Sequence, residues 1–278
     1  MTKSLILLPC WRRAEFLQYA LENIQKANGA EKNCYTFLID RGYSQEVVEV
    51  INNFPLNKEL RFAPPHRHPG NSYNVLEGYL WASNQNGYNL VHLIEEDIMC
   101  SVDYFDFHER VQSKYDSFCV SACRNQNLST ESNEDSSAVY YHPSFQSLGI
   151  SWKYDNLKKV VKHANARYYR NPTGYLRNQF PNSAKTNHTE QDGLIWRVMV
   201  QGNHQCLFPN VARCSHLGFV GYNRKGKPLE GTLAERVAKL RTMTATECND
   251  RADVYKDITP IDLNIDYGVT DFVLRHND

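Results

Sequence analysis

None of the eight cysteines in this 278-residue chain stands in a CxxC pair, which argues against a structural zinc site. Scattered through apolar runs, Cys10, Cys34, Cys100, Cys119, Cys123, Cys206, Cys214 and Cys248 read as reduced core residues of a cytoplasmic protein. No apolar stretch reaches the length of a membrane span. Residues 4–8 are too short for a signal-peptide core, and Pro9-Cys10-Trp11-Arg12-Arg13 ends them at once. Two glycosylation sequons, at Asn127 and Asn187, carry no weight without a secretory signal. There is no internal repeat and no low-complexity segment. Apolar content is an ordinary 41% and the formal net charge is zero, which argues against disorder and against a bulk polyanion binder.

The zero hides an asymmetry. Residues 1–140 hold 12 Lys/Arg against 18 Asp/Glu, whereas residues 141–278 hold 19 against 13. Most of the basic excess lies between Trp152 and Arg241. The acidic half contains the most informative stretch of the chain, Asn89 to His108. There an apolar run (Leu90, Val91, Leu93, Ile94) stops in Glu95, Glu96 and Asp97, and an aromatic segment with Tyr104, Phe105 and Phe107 follows. The run has the length of a buried strand. Carboxylates at the exit of such a strand sit where open α/β sheets bind ligands. Three acids crowded together repel one another unless something positive sits among them, and a divalent cation is the obvious choice. A solvated acidic turn or a helix N-terminus is the plain alternative.

The first half alternates short apolar runs with helical patterns, which predicts βαβ units and a mainly parallel sheet. Strands are expected at 4–8, 34–39, 60–63 and 90–94, with helices at 15–27, 45–53 and 72–84, the last with Ser72 as N-cap. The intervening loop, with Pro64, Pro65, His66, Arg67, His68, Pro69 and Gly70, cannot be regular. Later strands are expected at 118–122, 139–141, 147–152, 205–208 and 211–214, with helices at 155–164, 189–201 and 229–243. Residues 165–188 are polar and aromatic without a period, which reads as a functional loop or lid. The acidic tail from Asp250 is expected to pack back on the body.

With those elements placed, the chain resembles the GT-A fold of nucleotide-sugar glycosyltransferases. LLPCWRRAEFLQYALENI (7–24) is similar to their opening strand, Pro, Arg and helix. FLIDRGYSQE (37–46) resembles the second strand, whose terminal acid contacts the base. GNSYNVLEGYLWA (70–82) resembles the helix before the metal motif. IEEDIMCSVDYFDF (94–107) is similar to the acidic motif of N-acetylglucosaminyltransferase I. TEQDGLIWRVMVQGNHQCLFPNVARCSHLG (189–218) resembles the family 2 pattern of an acidic pair, a helix with Arg, a Gly, a strand and a terminal His. Glu95-Glu96-Asp97 stands where Asp-x-Asp is usual, and Glu190-Gln191-Asp192 replaces a contiguous acid pair. The resemblance implies an α/β, Rossmann-like, mostly parallel sheet flanked by helices. It implies a catalytic domain over 1–218, divided into a nucleotide-sugar half (1–115) and an acceptor half (116–218), with a C-terminal acceptor-side extension over 219–278.

It also implies a Mn²⁺- or Mg²⁺-dependent transfer from a nucleoside-diphosphate sugar, expected to be a UDP-sugar. Asp97 is the first choice for direct metal ligand, with Glu95 direct or through water and His216 as a further ligand; His216 could equally be a hydrogen-bonded surface histidine. Asp192 is the base candidate and would make the reaction inverting, although it could equally be a helix-dipole residue. Pro9, Arg12, Asp40, Asn74, Glu95 and Glu96 are expected around the nucleotide, with Arg13 and Arg67 as diphosphate contacts. Trp152, Tyr154, Arg170 and Tyr175 are candidates for the acceptor surface. In 153–185, basic residues alternate with tyrosines, which suits a polyanionic acceptor such as DNA with a hydroxymethylated base; a basic lid over the donor diphosphate or a solvated face is the plainer alternative, and saccharide acceptors stay equally open. The rivals are a sugar nucleotidyltransferase, which would carry a Gly-rich loop that Pro9-Cys10-Trp11-Arg12 lacks, and a non-catalytic glycan- or nucleic-acid-binding module. A metal hydrolase using His66 and His68 is disfavoured by the prolines around them.

Overall fold

A computed structural model describes residues 3–65, 70–125, 135–183, 189–216, 235 and 264–275. The loop with His66, Arg67 and His68, the sequon asparagines Asn127 and Asn187, Cys248 and, apart from Glu235, the helix expected over 229–243 lie outside them.

Four parallel strands form one half of the sheet: β1 (Leu5–Cys10), β2 (Cys34–Ile39), β3 (Lys58–Phe62) and β4 (Leu90–Leu93). They are joined by α1 (Ala14–Lys26), α2 (Gln45–Asn53) and α3 (Asn71–Ala82). β1 is apolar at every position because both of its faces are covered. Leu5 and Leu7 point to one side, against Val75, Leu76 and Tyr79 of α3. Ile6 and Leu8 point to the other, against Leu17, Leu21 and Ile24 of α1, as the two-residue strand period requires. Pro9 sits in this central strand at no cost to the ladder. Pairing with β4 ends at Leu7, where the Leu7 carbonyl accepts from Ile94 N. Two residues on, the missing N–H of Pro9 faces that same side, past the last pairing.

The second half contains β5 (Ile98–Cys100), α4 (Tyr104–Lys114), β6 (Val120–Ser121), β7 (Ala138–His142), β8 (Ile150–Lys153), α5 (Tyr154–Val161), α6 (Ala166–Arg170), α7 (Pro172–Gln179), α8 (Gln191–Gly202), β9 (Cys206–Pro209), β10 (Cys214–His216) and β11 (Val273–Arg275). The main sheet runs β11-β7-β9-β6-β8-β4-β1-β2-β3, and β10 pairs with β5 alone. β8 is antiparallel to both β4 and β6, and β7 to β9; the other neighbours are parallel. The sheet is therefore mixed and mostly parallel, flanked by helices. β11, from the expected C-terminal extension, forms one edge of that sheet, with Phe272 buried beside Phe107.

Two expectations are corrected. Residues 165–183 are not an irregular lid but two short capped helices. The Asn165 side chain accepts from the N–H groups of Arg167 and Tyr168, and that of Asn171 accepts from Gly174 ahead of Pro172. Neither helix is long enough to display a period. Ser72 does not cap α3; its hydroxyl accepts at 2.8 Å from the N–H of Gln191, the first residue of α8. α8 thus borrows its cap from another helix, which joins the two helix starts that border the site.

Candidate active site

From β1 the chain moves outward through β2 and β3 on one side, while β4 lies on the other. The carboxyl ends of β1 and β4 therefore open at a topological switch point, the place where such sheets leave a crevice. Trp11, Arg12 and Arg13 leave β1 there, Asp40 leaves β2, and Glu95, Glu96 and Asp97 leave β4. The starts of α3 and α8 close the sides. β10 completes the set because its register places His216 opposite Ile98, beside Asp97.

The positive group among the three acids is the guanidinium of Arg13. Its Nε donates to Glu96 at 2.6 Å and its Nη1 to Asp97 Oδ2 at 2.7 Å. His216 Nε2 lies 3.4 Å from that same Oδ2. Burial alone would raise the Asp97 carboxyl, but His216 and then Arg13 outweigh it and hold it well below the usual range. Burial raises Glu96 despite Arg13. Among the described residues, the Glu95 side chain is contacted by Asn71 Nδ2 at 3.4 Å. Burial, then the charges of Asp97 and Asp192, push it up to about 8.

That last shift has a direct consequence for stability. The raised carboxyl imposes no penalty below its unfolded value, near pH 4.5, and a growing one as pH climbs through 8. Glu95→Gln in EDTA should nearly match the parent's thermal stability at pH 4 and exceed it by several kcal/mol at pH 9, at about 1.4 kcal/mol per pH unit. Equal melting curves at both pH values would contradict the shift.

The other expected residues divide into those that face the crevice and those held within the fold. Asp40 faces it, its two oxygens accepting from the N–H groups of Arg41 at 2.8 Å and Gly70 at 2.7 Å. Arg12 lies 4.7 Å from the Trp11 ring centre and donates to the Gly42 carbonyl. Asp192 is exposed in the first turn of α8, with Ser147 Oγ 3.5 Å from its Oδ2. Asn74 is held within the fold, buried and donating at 2.6 Å to the Leu38 carbonyl. It ties α3 down where Gly78 comes so close to β2 that a Cβ would stand 2.2 Å from Leu38 Cδ1. Glu96 is likewise held inside, its second oxygen taking the Trp11 N–H at 3.2 Å. Pro9 is buried in its strand.

The expected aromatic acceptor platform is overturned at its centre. Trp152 is 0% exposed and donates its indole N–H to the Tyr79 hydroxyl at 3.1 Å. Tyr175 turns inward, its hydroxyl meeting His163 at 2.9 Å. Tyr154 is half-buried and Arg170 exposed. Sequence reasoning missed Asn71, Ser72 and Ser147, since hydroxyl and amide side chains in loops and helix starts carry no signal until their partners are known.

Asp97 and His216 suit a divalent cation. Among the described residues Asp97 Oδ1 is buried without a hydrogen-bond partner, which leaves a hard oxygen on the carboxylate that His216 flanks. Among the described residues no three His, Cys, Asp or Glu side chains form a metal cluster by themselves.

No protein-family model matches the chain, and no curated protein sequence matches it. Among solved structures it is similar to mannosyltransferase PcManGT from Pyrobaculum calidifontis, determined in complex with GDP-Man and Mn²⁺. The TM-score is 0.51 at 11% identity, and the alignment covers 91% of this chain and 64% of that one. The chain therefore shares the mixed α/β, Rossmann-like fold of that mannosyltransferase, a mostly parallel sheet flanked by helices.

Proposed function

We propose that the protein is a metal-dependent glycosyltransferase that moves a sugar from a nucleoside-diphosphate donor to an acceptor hydroxyl, with inversion. One observation carries the reading: at the switch-point crevice the half-satisfied Asp97 sits beside His216, near an exposed carboxylate, Asp192, at the start of α8. The PcManGT complex holds GDP-Man and Mn²⁺ on a similar fold.

In this reading Asp97 and His216 hold Mn²⁺ or Mg²⁺, with Glu95 reaching it directly or through water. The ion would neutralise the leaving diphosphate. Arg13 fixes the Asp97 carboxylate in place, which spares the site that reorganisation when the donor arrives. Asp40 would contact the ribose or base, and the Arg12–Trp11 stack lines the same pocket. The bond from the anomeric carbon to the diphosphate oxygen breaks as the acceptor oxygen forms its bond on the opposite face. The hydroxyl proton passes to Asp192.

The test is slow donor hydrolysis without acceptor, across UDP- and GDP-sugars with Mn²⁺, Mg²⁺ or EDTA. Metal-dependent release of one nucleoside diphosphate is the expected result and names the donor. Absence of turnover with every donor would sink the catalytic reading in favour of a binding module.

A further inference from the structure

The three helices α5, α6 and α7 present cations outward and aromatics inward. Lys162, Arg167, Arg170 and Arg177 are exposed and have no carboxylate partner among the described residues. Lys158 has only Asp155, at 3.7 Å. Elsewhere some exposed cations are paired, Lys114 with Asp271 and Arg275 with Asp135, and others such as Lys3, Lys26 and Arg110 are scattered singly rather than gathered on one segment. Asp155 is the one acid in 153–183. Unpaired like charges repel, so such a set is retained at some cost in stability unless a polyanion covers it.

The surface lies beside the candidate base. Tyr73 of α3 stacks at 5.2 Å on Tyr169 of α6 and donates to its carbonyl. The Tyr168 hydroxyl donates at 2.6 Å to the carbonyl of Thr189, just ahead of α8. α6 is thereby tied to α3 and to the residues that lead into α8, the helix that carries Asp192.

Two observations narrow its class. Among the described residues the exposed large apolar side chains are Tyr43, Phe62, Leu80, Val200, Ile265 and Val273, none of them on these helices, whereas docking on a lipid surface needs apolar side chains to insert. The tyrosines face inward, Tyr168 being 2% exposed, whereas binders of single strands offer aromatic faces to unstacked bases. What is left is a row of guanidinium and ammonium groups, suited to backbone phosphates of a duplex whose bases stay stacked.

We propose that the α5–α7 surface binds the phosphate backbone of duplex DNA and presents it as the acceptor. This rests on the glycosyltransferase reading above. Inside duplex DNA the sugar hydroxyls are esterified, so the acceptor must be a hydroxyl carried by a modified base, such as a hydroxymethyl pyrimidine, extruded toward Asp192. Its oxygen forms the glycosidic bond, its proton goes to Asp192, and the nucleoside diphosphate leaves.

The test is fluorescence anisotropy of a labelled duplex of about 30 base pairs, without donor or metal, as salt rises from about 50 to 200 mM. Some four phosphate contacts predict an affinity loss of about 100-fold over that range. The variant Lys162→Ala/Arg167→Ala/Arg177→Ala should bind more weakly and flatten the log–log salt slope by about 3 units, with an unchanged melting temperature showing that it folds. Absence of duplex binding at low salt would overturn the proposal, as would an unaltered slope in the variant. Tighter binding to the matching single strand, or binding only to phosphatidylglycerol vesicles, would also overturn it. Because donor hydrolysis is measured separately, a protein that hydrolyses donor but ignores DNA refutes this inference alone.

Discussion

Asp97→Asn should reduce Mn²⁺-dependent transfer and donor hydrolysis by about a thousandfold or more, equivalent to about 4 kcal/mol of barrier. Asparagine keeps the shape but loses the charge that a divalent ion requires. In the structure the Asp97 carboxylate has one oxygen on Arg13 and beside His216, while the other is buried and unpartnered. A structural role predicts something different. Arg13 would keep Glu96 as a partner, so the variant should melt a few degrees lower yet remain folded, and its residual activity would still respond to Mn²⁺. The decisive readout is the metal response. Equal stimulation by Mn²⁺ in parent and variant, at temperatures where both are folded, would remove Asp97 from the metal site whatever the loss of stability.

The second large effect falls on the other side of the crevice. Asp192→Ala should lower the transfer rate by about 10²- to 10⁴-fold, the usual contribution of a positioned base. Donor KM and slow metal-dependent hydrolysis should change little, because water needs less help than a sugar or base hydroxyl held in place. A helix-dipole acid makes a contrasting prediction: its loss would cost about 0.3–1 kcal/mol of stability and leave transfer intact. The product should carry the anomeric configuration opposite to the donor's, which an NMR coupling constant reads directly. Retention of configuration, or transfer within a few fold of the parent, would rule out Asp192 as base.

Much of the framework was legible because strand and helix periods are local properties. The bounds of α2 and β2 agree with the expected 45–53 and 34–39. β1 and β4 were recognisable as apolar runs too short for helices, and the acids at the exit of β4 could be assigned to a carboxyl edge. The later strands were harder. β6 is Val120–Ser121, where 118–122 had been expected, because an alternation in sequence does not say where a neighbouring strand stops pairing. α6 and α7 were missed because asparagine caps inside a polar segment look like loop. The aromatics of 152–175 were misplaced because a tyrosine or tryptophan with a partner for its polar tip can be interior as readily as exposed.

By itself, then, the sequence determined the βαβ framework, the covered faces of β1, and the crowding of three carboxylates at one strand exit. All of these follow from side-chain order along a chain with fixed two- and 3.6-residue periods. The tertiary structure alone decided what neutralises those carboxylates. Arg13 reaches Glu96 and Asp97 across more than eighty residues, and the register of β10 on β5 places His216 beside Asp97 across more than a hundred. It alone showed that Ser72 caps a helix more than a hundred residues away, and that the tyrosines of α6 and α7 turn inward while their arginines turn out. Such pairings depend on how distant elements close against one another, and no local period encodes that.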